Sequence, residues 1–101
     1  MGKSSSVTSE TLKSARRASS TTQKGIAKTL RVNAATISRY ENGELLPPVI
    51  KAGKLADILE IPKQEFMRNH CADALSDILR QYRKYPEIAG VIGAAIATLR
   101  E

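Results

Sequence analysis

Apolar residues recur three and four positions apart along most of this chain. That is the period of an α-helix buried on one face. Leu12 and Ala15 open a first stripe, with Thr8 or Ser9 as the expected N-cap and Glu10 favourable in the first turn. The run Ala18-Ser19-Ser20-Thr21 ends it, because small hydroxyl side chains compete for backbone hydrogen bonds. Thr22 then caps a second predicted helix, Gln23–Leu30, whose inner face is Ile26, Ala27 and Leu30. After the short turn Arg31-Val32-Asn33, Asn33 caps a third helix over residues 34–41, anchored by Ile37 and Tyr40. Asn42-Gly43 stops it, glycine being suited to the left-handed position past a helix C-terminus.

Leu45-Leu46-Pro47-Pro48 reads as a rigid connector, with Pro48 tolerated in the first turn of a fourth helix. Val49, Ala52, Leu55, Ala56 and Leu59 form the stripe expected to be buried there. Ile61-Pro62 leads to a short fifth helix over residues 63–68, with Phe66 inward. Two more stripes follow: Leu75, Ile78, Leu79 and Tyr82, then Ile88, Val91, Ile92, Ala95 and Leu99 after a restart at Tyr85-Pro86-Glu87. No internal repeat and no strand pattern is visible. The reading is an all-α chain with a flexible basic arm at 1–7, a compact helical domain over 8–69, and a C-terminal helical segment for dimerisation or interaction over 70–101.

Charge sharpens the picture by its location. The net charge is +6, and residues 1–43 carry all of it, with eight Lys or Arg against two Glu. Residues 44–101 are balanced at eight of each sign. A one-sided field of this kind draws a polyanion, although a solubilising face would look the same. The single cysteine, Cys71, allows no intrachain disulfide and suits a reducing, cytoplasmic setting. No apolar run reaches the roughly 18 residues of a membrane span. Gly2 followed by Ser6 matches the short acylation pattern, which would make the chain a membrane-tethered basic adaptor; the plainer reading is a polar arm.

The segment from Thr22 to Gly43, TQKGIAKTLRVNAATISRYENG, carries the functional signal. Two short helices flank a three-residue turn, small Ala27 sits where they cross, and Val32 plugs the turn. This is the pattern of a helix-turn-helix. It resembles the Cro/C1-type (XRE family) regulators from about Leu12 to Ile61 without a gap, at Thr22-Gln23, Ile26-Ala27, Leu30, Val32, Thr36-Ile37-Ser38-Arg39, Glu41-Asn42-Gly43, Pro47 and Leu55-Ala56. The resemblance implies a five-helix lambda-repressor-like DNA-binding domain, here with two additional C-terminal helices. It also implies a partly buried ion pair between Arg16 and Glu41. The chain departs from the family at Arg31, where glycine is usual, and at Thr21, where leucine is usual.

The B-DNA major groove, about 12 Å wide, admits one α-helix. With the third helix in it, the candidates for base contact are Asn33, Ala34, Ala35, Ser38 and Arg39. Arg39 suits a bidentate contact to guanine, and the alanines offer only methyl contacts. Asn33 serves equally as a cap. Thr22 and Gln23, at a helix N-terminus, together with Lys24, Asn42 and Arg31, are the candidates for phosphate contact. His70 and Cys71 are adjacent but lack further ligands, and no catalytic constellation appears. Neither enzyme activity, a metal nor a cofactor is expected. The function expected is a dimeric repressor of double-stranded DNA, joined through its C-terminal helices on a pseudo-palindromic operator. The resemblance also implies a setting in phages, plasmids or other mobile elements, where small stand-alone regulators of this type are frequent. The alternative is an antitoxin or other module whose C-terminal helices bind a different protein.

Overall fold

A computed structural model describes residues 6–101, which form six helices: α1 Val7–Ala18, α2 Gln23–Leu30, α3 Ala34–Asn42, α4 Val49–Ile58, α5 Lys63–Gln81 and α6 Pro86–Arg100. No strand occurs among the described residues, and none of their helices is long and apolar enough to cross a membrane. The core is aliphatic. Leu12, Ile26, Ala27, Leu30, Ile37, Tyr40, Ala52, Leu55, Ala56 and Leu59 meet around Phe66, so each of the first five helices contributes to one cluster.

The first helix starts earlier than its local sequence suggests. Ser6 is the N-cap, and its hydroxyl accepts the Ser9 N–H while the Ser9 hydroxyl accepts the Ser6 N–H, a reciprocal capping box. Thr8 and Ser9, the expected caps, lie inside the helix and are buried. Ser6 and Val7 therefore belong to α1 rather than to an arm; residues 1–5 lie outside the described residues. Local sequence offers several hydroxyl residues as caps. The choice falls on Ser6 because Thr8 is taken by Asp73, 65 residues away.

Four successive helices end in the same way. After each of α1 to α4 one residue enters the left-handed region: Ser20 (φ 56°), Arg31 (φ 61°), Gly43 (φ 75°) and Glu60 (φ 54°). At each, the next amide bonds back to the helix as in a Schellman motif: Thr21 to Arg16, Val32 to Ala27, Glu44 to Arg39 and Ile61 to Ala56. Val32 and Ile61, immediately after the reversal, pack on the core. Tertiary burial of these apolar residues holds Arg31 and Glu60 in a region that costs roughly 1–2 kcal/mol each, and Ser20 is held there by the bond from Thr21 back to Arg16.

Two expectations about the C-terminal half change. The short fifth helix and the stripe from Leu75 to Tyr82 are one continuous element, α5, of 19 residues. Nothing between Lys63 and Gln81 is Gly or Pro, so nothing in the chain interrupts it. Val49, expected in the buried stripe of α4, is instead 65% exposed at the first helical position, while Ala52, Leu55, Ala56 and Leu59 are buried as a stripe should be. Position sets the difference: Val49 stands at the end of the helix, beyond reach of a neighbouring element. In α6 Ile96 is buried and Ala89, Ile92, Gly93, Ala95 and Leu99 are half-buried, so Ile92, Ala95 and Leu99 of the expected stripe turn inward, whereas Ile88 and Val91, grouped with them by spacing, face outward.

The left-handed residues offer a direct test. Glu60→Gly removes the Cβ penalty from an exposed site and should stabilise the protein by about 1 kcal/mol, raising Tm by roughly 4–8 °C. Thermal unfolding followed by circular dichroism measures it, with Glu60→Ala as the control that gains little.

Candidate nucleic-acid interface

The helix-turn-helix is built from α2, the Arg31 reversal and α3. Thr22 caps α2 by accepting the Gly25 N–H at 2.9 Å. This satisfies the third amide of the turn and leaves those of Gln23 and Lys24 directed away from the helix, as helix N-termini require. Asn33 caps α3: its Oδ1 accepts both the Thr36 N–H and the Thr36 hydroxyl at 2.8 Å. Its side-chain oxygen is thus occupied by capping, and its amide N–H groups stay available.

On α3, Ile37, Tyr40 and Glu41 are buried. Burial raises the pKa of the Tyr40 phenol, keeping it neutral. The opposite side carries Ala35 and Arg39, one turn apart and both exposed, flanked by half-buried Ser38 and Asn42. The Asn42 amide reaches the Ser38 hydroxyl at 3.4 Å, linking the flank. Of the two alanines considered for methyl contact, Ala35 is open. Ala34 is half-buried and packs against the core, because it lies three residues before Ile37 on the inner side of the helix. Thr36 was not among the residues read as candidates. Its hydroxyl is spent on the Asn33 cap, next to the exposed face.

The orientation of α3 depends on Glu41, which is 6% exposed. Its carboxylate accepts from Arg16 Nε at 2.5 Å and Arg16 Nη2 at 3.0 Å, a bidentate pair. It also accepts from Gln23 Nε2 at 3.0 Å. Arg16 Nη1 donates onward to the Thr21 carbonyl at 3.1 Å, in the turn after α1. The hydrogen bond with Glu41 holds the Arg16 pKa above its already high ordinary value, against the opposing effect of burial. Gln23 therefore has one amide N–H engaged inside the protein, and its carbonyl oxygen and second N–H remain for an outside partner. That link between α2 and the end of α3 joins side chains 18 residues apart, and no local pattern signals it.

The exposed cations around this surface are Lys24, Lys28, Arg31 and Arg39. Arg31 stands at the left-handed turn between the two helices, where its side chain is free of the core. The helix-turn-helix thus joins a helix face with few large side chains, a helix N-terminus with free amides, and four exposed cations. It presents no arrangement of His, Cys, Asp and Glu suited to a metal among the described residues.

Arg16→Ala should strand the Glu41 carboxylate and cost about 3–5 kcal/mol in urea unfolding, whereas Arg16→Met combined with Glu41→Leu should recover most of the loss. A loss under about 0.5 kcal/mol in the single variant, the range of an ordinary surface change, would show that the pair does not hold the domain together.

Comparison with known proteins agrees with this geometry. A helix-turn-helix family model matches residues 12–66, more than half of the chain, running from Leu12 in α1 to Phe66 in α5. Searches of curated proteins and of solved structures returned no match. The matched segment contains every residue of the α2–turn–α3 unit and both members of the Arg16–Glu41 pair, and the chain belongs to the Cro/C1-type (XRE) helix-turn-helix family of DNA-binding regulators.

Proposed function

We propose that this protein is a dimeric repressor that binds a pseudo-palindromic operator, with α3 of each copy in the major groove. The observation that carries the reading is the face of α3 itself: Ala35 and Arg39 exposed, Ser38 and Asn42 beside them, and no bulky side chain to hold the helix away from base edges. Arg39 is the candidate for a bidentate guanine contact, worth about 1–3 kcal/mol of discrimination. Ala35 suits a thymine methyl. Thr22, Gln23, Lys24, Asn42 and Arg31 are the candidates for phosphate contact, and they would set register without reading sequence. Asn33 supports the helix as its cap and offers its amide to the same surface.

The second copy is supported by the outer side of the α5–α6 hairpin. Ile78, Tyr82, Tyr85, Ile88 and Val91 are all exposed, Val91 by 72%. Between Glu87 and Arg100, α6 carries no charge. Gly90 is exposed, and a Cβ placed there would meet nothing within 4 Å, so the helix surface is low enough there for close approach. The uncharged stretch of α6 favours a two-fold partner, which buries the same apolar residues from both copies, over one recognised by charge. Two-fold pairing would set the recognition helices one turn of DNA apart, about 34 Å, and the bound dimer would block polymerase.

Selection of bound sites from random DNA tests the reading. Wild-type protein should enrich two inverted half-sites, and sedimentation without DNA should show concentration-dependent dimers. Arg39→Ala should lose discrimination at one position of each half-site, while Lys24→Ala should weaken all binding and reduce the salt slope by about one. A strict monomer at high micromolar concentration, or a hairpin that pairs only with a different protein, would replace the dimer reading. Equal affinity for selected and competitor DNA would remove the function altogether.

A further inference from the structure

Resting on the dimeric reading above, we propose that the protein is a rigid caliper: Asp73 locks the C-terminal hairpin to the DNA-binding unit, and the spacing between half-sites is thereby a fixed part of what the protein recognises.

Besides the contact of His70 with the Pro47 carbonyl at 2.6 Å, two attachments join the two parts of the chain. One is α5 itself. Its first turns bury Phe66 in the core of the DNA-binding unit, and the same helix packs against α6. With 19 residues it is a rod of about 28 Å. It contains no Gly or Pro at which to bend. The second attachment is Asp73, at the middle of the rod and 8% exposed. Its Oδ2 accepts the Thr8 N–H at 3.0 Å and the Thr8 hydroxyl at 2.6 Å, in the first turn of α1. Its Oδ1 stands 3.6 Å from Arg100 Nη2, at the end of α6. One carboxylate therefore ties the start of α1 to the middle of α5, and draws in the end of α6. Thr8 is itself buried, so these bonds exchange little with water and keep their direction.

The consequence is geometric. Whatever pairs two hairpins also places two α3 helices, because α5 runs unbroken from the core of the DNA-binding unit into the hairpin and Asp73 ties it to α1. Adding one base pair between half-sites moves the second site by about 3.4 Å and turns it by about a tenth of a turn. A jointed protein would follow. A rigid one must instead deform the DNA, at a cost in the range of roughly 1–6 kcal/mol. Asp73 is a positioning residue in this scheme, remote from DNA, and it affects spacing rather than base preference.

The test uses full-length protein on duplexes in which the selected half-sites are kept and the gap is changed by one or two base pairs, with sedimentation on the same samples. Wild type should bind one gap and lose at least about tenfold for each step away from it. Asp73→Ala should flatten that profile to within about threefold while leaving affinity for an isolated half-site unchanged. Asp73→Asn, which keeps an oxygen acceptor for Thr8, should retain most of the sharpness. Should Asp73→Ala fail to fold, Arg100→Gln, which loosens only the α6 end, should broaden the profile in its place. A wild-type dimer that tolerates several gaps equally overturns the proposal, as does a folded, dimeric Asp73→Ala with the wild-type profile. A monomer that binds single half-sites removes the dimeric reading itself, and with it the caliper.

Discussion

A carboxylate shut away from water at the end of α3 must find donors, and two separate stretches of chain supply three of them. Glu41 accepts from two nitrogens of Arg16 on α1 and from Gln23 at the start of α2. An unpaired buried charge costs several kcal/mol, so the fold in which all three arrive is strongly separated from those in which they do not. The arrangement has a functional sense as well. Gln23 begins the helix whose free amides face outward, and Glu41 closes the helix that presents Arg39 and Ala35. The same interaction that stabilises the interior also fixes the angle at which the two helices can meet DNA.

Backbone reversals do the rest of the positioning. The helices α1 to α4 each end on a left-handed residue, and only one of the four, Gly43, is a glycine. Ser20, Arg31 and Glu60 adopt the same geometry with a Cβ present. They are held there because the residue that follows is apolar or is bonded back to the helix, as Val32 is to Ala27 and Ile61 to Ala56. Burial of Val32 and Ile61 offsets the strain. At Arg31 this also leaves a cation on the outside of the helix-turn-helix, where a glycine would offer none.

Much of this was legible along the chain. The helical period placed α1 to α4 and the core residues Leu12, Ile26, Leu30, Ile37, Tyr40, Leu55 and Phe66, because an amphipathic helix must bury its apolar stripe wherever it packs. The caps Thr22 and Asn33 were readable too, since a cap bonds within three residues of itself. Less visible was the extent of α5. Residues 63–68 and 75–82 look like separate stripes, since the side chains between them serve different neighbours: His70 reaches the Pro47 carbonyl at 2.6 Å, and Asp73 reaches Thr8. Polar residues buried by tertiary partners interrupt a hydrophobic pattern without interrupting a helix.

The amino-acid sequence by itself determined the helical class, the two short helices and tight turn of the reading unit, and the concentration of positive charge in the first 43 residues. All of these follow from interactions spanning a turn or two of chain, or from simple sums of charge. Only the tertiary structure decided which hydroxyl caps α1, which of Ala34 and Ala35 is open, and that Gln23 shares Glu41 with Arg16. It also decided that Asp73 joins the start of α1 to the middle of α5. Those outcomes depend on groups 18 to 65 residues apart competing for the same donors and the same buried space, and that competition is resolved only when the helices have packed.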